Sequence, residues 1–332
     1  MAILVTGGAG YIGSHMVFGL LDRGVPVVVL DNLATGFRSA IPASVPFVEG
    51  DIGDADLVSR LIETHKVDEV IHFAASSVVP ESMEKPAAYY ANNTAKSLAL
   101  IDLASRSGVR RFVFSSTAAV YGNPVQSPVA ETALPQPVSP YGTSKWMTEL
   151  VLRDVAAARG MRHVALRYFN VAGADPALRC GQSTRAATHL IKAAVQAALG
   201  IRDGLDIYGT DYLTPDGTCV RDYIHVTDLV DAHFSALEYL RGCSASTTLN
   251  CGYGRGYSVR EVVDAVKRIS RVDFPVRLAG RRPGDPATIV ADTARLRREL
   301  NWTPAYDDLD TIVAHALAWE RQLHDRRASM LP

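Results

Sequence analysis

Cysteine is scarce in this 332-residue chain: Cys180, Cys219, Cys243 and Cys251 are the four, without C-x-x-C spacing or a matched histidine pattern. Neither a zinc site nor a disulfide framework follows, and the four read as reduced thiols with no metal implied. Charge of one sign is lacking too. Lysine and arginine number 34 against 35 aspartate and glutamate, with no long run of either, so nothing favours nucleic acid or an anionic membrane. No uninterrupted apolar run reaches the roughly 18 residues of a membrane span. The first predicted strand begins at residue 3, which leaves no room for a signal peptide and points to the cytoplasm. Internal repeats, low-complexity tracts and linkers are absent as well.

What is present is an ordinary globular composition, 48% hydrophobic and 21% charged, long enough for a large core and two domains or subdomains. Strand-like and helix-like segments alternate through the first half, which argues for a parallel sheet covered by helices. The predicted strands are Ile3 to Thr6, Val25 to Leu30, Pro46 to Glu49, Glu69 to Phe73, Phe112 to Ser115 and His163 to Arg167. Ligands of open α/β sheets sit outside the carboxyl ends of the strands, so Asp31, Asp51, Ser115 to Thr117 and Asn170 are expected to line one cleft. The alternation weakens after about residue 172, where Gly, Pro and Asp recur. We therefore expect one domain over 1–172 and a smaller one over 173–332, with Thr247 to Cys251 as a candidate strand returning to the first.

The most informative stretch is Thr6-Gly7-Gly8-Ala9-Gly10-Tyr11-Ile12-Gly13, which follows the apolar Ile3-Leu4-Val5 and opens a helix. Glycines there let the backbone approach a pyrophosphate at a helix N-terminus. The spacing is G-x-x-G-x-x-G. Asp31, 18 residues past Gly13 at the end of a second apolar run, suits the hydroxyls of an adenosine ribose. Together these features predict a dinucleotide cofactor.

Chemistry is expected at Tyr141-Gly142-Thr143-Ser144-Lys145, after the proline-rich Pro135 to Pro140. The i, i+4 spacing puts Tyr141 and Lys145 on one face of a first helical turn. Lowering a tyrosine pKa from about 10 to about 7 takes roughly 4 kcal/mol, and a lysine charge at about 4 Å supplies a similar amount at an effective dielectric of 20. Tyr141 is thus a candidate proton acceptor. Thr117, in Ser115-Ser116-Thr117 at the end of a strand, is a candidate to hold a reacting hydroxyl against it.

These motifs, with Asp31-Asn32, Gly50-Asp51-Ile52, His72-Phe73-Ala74-Ala75, Tyr121-Gly122 and Arg167-Tyr168-Phe169-Asn170, make the chain resemble the extended short-chain dehydrogenase/reductases. Within that family it is similar to the UDP-galactose 4-epimerases, through Asp216 to Val226 and Arg281-Arg282-Pro283-Gly284-Asp285. The resemblance implies an α/β fold: a Rossmann-type doubly wound parallel sheet with a smaller mixed α/β substrate domain. It implies NAD as cofactor, held by Gly7, Gly10, Tyr11, Ile12, Gly13, Asp31, Asn32, Asp51, Ile52, Phe73, Ala74, Ala75, Asn92, Ser115, Tyr141, Lys145 and Tyr168. Thr117, Tyr141, Asn170, His189, Leu190, Tyr208, Arg221, Arg282 and Asp285 would meet a UDP-sugar. Two arginines suit a diphosphate, and an aromatic ring suits a uracil face; Arg281 reads as ordinary surface pairing.

The resemblance further implies a homodimer and inversion of a UDP-hexose at C4 through a transient 4-keto sugar, with Tyr141, Lys145 and Thr117 as the catalytic residues. Departures from the family pattern narrow this. Thr117 stands where many relatives have serine and keeps the hydroxyl. Ala118-Ala119 replace the Asp-Glu pair of the 4,6-dehydratases, which argues against elimination of water. Ser76-Ser77 follow where some relatives carry a lysine, and His189 replaces an asparagine. Ile289 falls where the size of the sugar is sensed in some relatives, yet an apolar alternation there equally describes a half-buried strand. The alternatives are another UDP-sugar epimerase or decarboxylase, and a non-catalytic NAD or UDP-sugar-binding protein.

Overall fold

The computed structural model describes residues 1–184, 188–242, 245–282 and 284–328. Cys243 and Pro283 lie outside them, while Cys180, Cys219 and Cys251 are free and buried. Seven strands form one sheet in the spatial order Phe47–Glu49, Val27–Asp31, Ile3–Thr6, Glu69–His72, Arg111–Thr117, Arg162–Tyr168 and Thr247–Cys251. Every neighbouring pair is parallel. The order reverses between Ile3–Thr6 and Glu69–His72, and that switch point is where doubly wound sheets bind their ligands. Leu4, Val5, Val28, Val29, Val70, Ile71 and Val113 are fully buried, as strands covered on both faces must be. The sequence placed the six leading strands within one or two residues of these bounds.

One face of the sheet is packed around Leu4, Val28, Leu30, Val70, Phe112 and Phe114, the other around Ile3, Val5, Val29, Ile71 and Val113. The second cluster continues without a break into Ile191, Ile224, Leu237, Val262 and Ile312. Residues beyond 172 therefore do not stand wholly apart. The helix Val226–Gly242 packs on the strands Arg111–Thr117 and Arg162–Tyr168 and on the helix Tyr11–Asp22, and Thr247–Cys251 completes the sheet.

Beyond the large sheet, the strand Val220–His225 is the hub of a small mixed one. It pairs in parallel with Asn170–Ala172 and Thr288–Ile289 and antiparallel with Gly256–Ser258. Val276–Ala279 and Leu205–Tyr208 form a separate parallel pair. The direct step from Arg162–Tyr168 to Asn170–Ala172 carries the chain from the large sheet to the small one across a single residue, Phe169. Among the described residues no helix is long and apolar enough to cross a membrane.

Candidate active site

Gly7 leaves the first strand with φ at +69°, and a Cβ there would meet the Ala74 nitrogen at 2.6 Å. A Cβ on Gly13 would lie 2.2 Å from the Gly7 carbonyl oxygen. The turn therefore closes only with hydrogen at both positions. Gly10 begins the helix Tyr11–Asp22 without any side-chain cap, so the first-turn N–H groups of Tyr11, Ile12 and Gly13 keep the polarity that attracts an anion. The Tyr11 hydroxyl donates to the Gly173 carbonyl at 2.7 Å, so what Tyr11 offers a ligand at this turn is backbone.

Asp31 ends the second strand, its two oxygens accepting from Ala9 N and Leu33 N, each at 2.8 Å. Burial raises its pKa and the two N–H groups oppose the rise, while each oxygen retains acceptor capacity for a hydroxyl. Asn32 donates to Asp51 at 3.3 Å, and Lys96, which sequence reading missed, pairs with Asp51 at 2.5 Å. Ile52 is buried in the cluster that holds Leu30. Phe73, Ala74 and Ala75 follow the strand Glu69–His72 and run beside the glycine turn.

Asn92 lies in one turn of π-helix, Tyr90–Ala95, and donates to Ser76 Oγ at 3.1 Å. Its neighbour Asn93, also missed, is the buried one. It accepts from Ser76 N at 2.8 Å and donates to Ser144 Oγ at 3.1 Å, which ties this wall to the helix that carries Tyr141. A cradle that any Cβ would fill, an uncapped helix N-terminus and an acid on the second strand fit a dinucleotide with an unmodified ribose.

Tyr141 and Lys145 occupy the first turns of the helix Pro140–Arg159, which Ser139 caps by accepting from Gly142 N at 3.2 Å. Tyr141 shares a hydrogen bond with Thr117, and its ring meets Tyr89 edge-on at 6.5 Å. Burial raises the Tyr141 pKa, and the bond to Thr117 lowers it in part. Lys145 donates to the Ser115 carbonyl at 2.9 Å, and burial pulls its pKa down to about 7, opposed by the Glu149 carboxylate. In the protein alone burial thus moves the two groups in opposite directions, and the expected lowering of the tyrosine by the lysine charge is not among the causes of either shift. Ser115 and Tyr168 share a short hydrogen bond through their hydroxyls. Thr117, Tyr141, Ser115, Lys145 and Tyr168 are accordingly one cluster at the carboxyl ends of adjacent strands.

Asn170, His189 and Leu190 line a common pocket with Tyr223 and Trp319. His189 Nδ1 accepts from Gln182 Nε2 at 2.8 Å, and burial lowers its pKa, with Lys192 contributing. Lys192 is itself buried against Glu320 at 2.5 Å. Arg221 lies on the hub strand, 3.6 Å from Asp285, and the Arg282 guanidinium stacks 3.8 Å from the centroid of the Tyr208 ring. Arg281 instead pairs with Asp211 at 2.7 Å and covers Tyr212. Ile289, beside Arg221 in register, is buried with Ala118, Tyr121 and Phe169.

The sequence pattern of the NAD dependent epimerase/dehydratase family matches residues 3–252. The chain belongs to that family. It is 59% identical over 321 residues to a UDP-glucose 4-epimerase of Azospirillum brasilense, across 97% of this chain and 92% of that protein. The crystal structure of UDP-glucose 4-epimerase from Brucella ovis in complex with NAD superposes with a TM-score of 0.93 at 45% identity, covering 96% of this chain and 97% of the other. That of the Bifidobacterium longum enzyme in complex with NAD+ and UDP gives a TM-score of 0.92 at 35% identity, covering 97% and 98%.

Proposed function

We infer that this protein inverts C4 of a UDP-hexose, interconverting UDP-galactose and UDP-glucose with NAD as a retained cofactor. The observation that carries the reading is the hydroxyl pair of Thr117 and Tyr141, with Lys145 one turn away, set in a family of NAD-dependent sugar-nucleotide enzymes. NAD would supply reversible two-electron oxidation at C4. Gly7, Gly10 and Gly13 would admit its pyrophosphate, Asp31 its adenosine ribose, and Asn32, Asp51 and Ile52 the adenine side. Phe73, Ala74, Ala75, Asn92, Ser115 and Tyr168 would line its course toward Lys145.

Tyr141 would take the proton of the 4-hydroxyl and later return it, while Thr117 holds that hydroxyl in line. Lys145, when charged, would favour the tyrosinate. Asn170, His189, Leu190, Tyr208, Arg221, Arg282 and Asp285 would anchor the UDP while the sugar turns over. A cytoplasmic homodimer is the expected form; Leu98 and Met147 leave apolar surface exposed on the packed helices Lys96–Arg106 and Pro140–Arg159, where a second copy would dock.

The test is to denature the purified protein, identify the nucleotide released, and assay UDP-galactose without added NAD. Released NAD together with formation of UDP-glucose supports the reading. Accumulation of an oxidised sugar that requires added NAD refutes it.

A further inference from the structure

Behind Lys145 lies a chain of buried polar groups for which the functional reading has no use. Glu149, one helical turn beyond Lys145, accepts from Arg167 Nε at 3.0 Å and Nη2 at 2.6 Å, and from the Ser116 hydroxyl. Both charged side chains are more than nine-tenths buried, at 8% and 7% exposure. Arg167 Nη1 donates to the Tyr121 hydroxyl at 3.0 Å, and that hydroxyl donates to Asn250 Oδ1 at 2.6 Å. Ser116 immediately precedes Thr117, so the network fastens the helix of Tyr141 to the strand of Thr117 and to two further strands.

The surroundings of Lys145 say what a carboxylate does there. From its own helix Lys145 faces Tyr141 and Glu149. The strand Arg111–Thr117 brings the Ser115 carbonyl and the ring of Phe114, whose centroid is 4.9 Å from Nζ. The strand Glu69–His72 brings His72, which burial keeps neutral and whose ring nitrogens meet Thr6 Oγ1 at 2.6 Å and Ser97 Oγ at 2.9 Å. From Arg162–Tyr168 come Arg167, engaged by Glu149, and the Tyr168 hydroxyl, engaged by Ser115. Glu149 is the carboxylate in this set, and Ser116 and Arg167 fix where it points.

We propose that Glu149 is a positioning residue of the epimerase reaction: clamped by Arg167 and Ser116, it keeps Lys145 charged and thereby sets the proton affinity of Tyr141. The proposal rests on the reading above only for the consequence at Tyr141. A buried ammonium without a facing carboxylate gives up its proton more readily, and burial already holds Lys145 near neutrality.

The experiment measures the protonation midpoint of Lys145 directly in the NAD-loaded protein. Competitive acetylation by trace acetic anhydride across pH, which leaves the oxidation state of the cofactor unchanged, is read by mass spectrometry at the peptide that carries Lys145. Glu149→Gln should lower the midpoint by half a pH unit or more, and the alkaline limb of the kcat profile should move down with it while KM stays within twofold. Glu149→Asp keeps the charge on the same helical face, so its midpoint should stay within a few tenths of wild type and its kcat profile should stay with it. An unmoved midpoint in a folded Glu149→Gln overturns the proposal. If Glu149→Gln does not fold, Glu149→Asp decides: midpoint and kcat profile should stay or move together, and a kcat that falls several-fold at an unmoved midpoint overturns the proposal. A wild type that labels normally but does not interconvert UDP-galactose and UDP-glucose would instead refute the functional reading.

Discussion

Replacing Tyr141 by phenylalanine removes one oxygen and almost no contact area. The residue is 8% exposed, its ring rests edge-on to Tyr89, and the hydroxyl shares a hydrogen bond with Thr117. Losing one hydrogen bond costs folding about 1 kcal/mol, and Thr117 Oγ1 still accepts from Ala119 N at 3.1 Å, so the fold should survive. Catalysis should not. A positioned proton acceptor is worth roughly 100- to 10,000-fold, equivalent to about 3 to 5 kcal/mol of barrier. The two effects therefore separate by size. UDP-galactose conversion is followed by coupling UDP-glucose to its dehydrogenase, alongside a thermal melt and assay of retained NAD. The variant should keep its NAD, melt within a few degrees of wild type, and lose at least 100-fold in kcat. A folded, NAD-loaded variant that loses less than tenfold would remove Tyr141 from proton transfer.

Three further outcomes can be measured. Asp31 meets the ribose position with a carboxylate fixed by Ala9 N and Leu33 N, so apoprotein titrated with both nucleotides should prefer NAD to NADP; equal affinity would show that Asp31 does not face the ribose. Ile289 is packed beside Ala118 and Phe169 close to Thr117, so Ile289→Tyr should lower kcat/KM for UDP-N-acetylgalactosamine more than for UDP-galactose; an unchanged ratio in a folded variant would leave Ile289 a core residue only. Burial lowers the His72 pKa to about 3, so the unfolded chain binds the extra proton as pH falls from 6.5 toward 3. Stability is then complete above pH 6.5 and reduced by about 2 kcal/mol at pH 5 from this residue alone. The denaturant midpoint should fall between pH 7 and pH 5, and His72→Asn should flatten that fall; an unaltered slope would refute the assignment.

Features that depend on local spacing were legible along the chain. Short segments rich in Val, Ile, Leu and Phe marked the leading strands, because a strand covered on both faces has little polar side to show. The glycines at 7, 10 and 13 announced a turn too tight for side chains, and Asp31 ended the next strand. The i, i+4 spacing of Tyr141 and Lys145 is enough to put both on one helical face. Tertiary structure alone decided what depends on distant segments meeting. Ser116, Glu149, Arg167, Tyr121 and Asn250 each look unremarkable in their own stretch, and Tyr121 reaches Asn250 across 129 residues of sequence. Val226–Gly242 and Thr247–Cys251 return to the first sheet although the chain has by then built another, a choice set by which apolar faces fit together. The charges of Tyr141 and Lys145 belong to the same class. Spacing put the two side chains on one helical face, but burial, a property of the assembled fold, raises the pKa of Tyr141 and lowers that of Lys145.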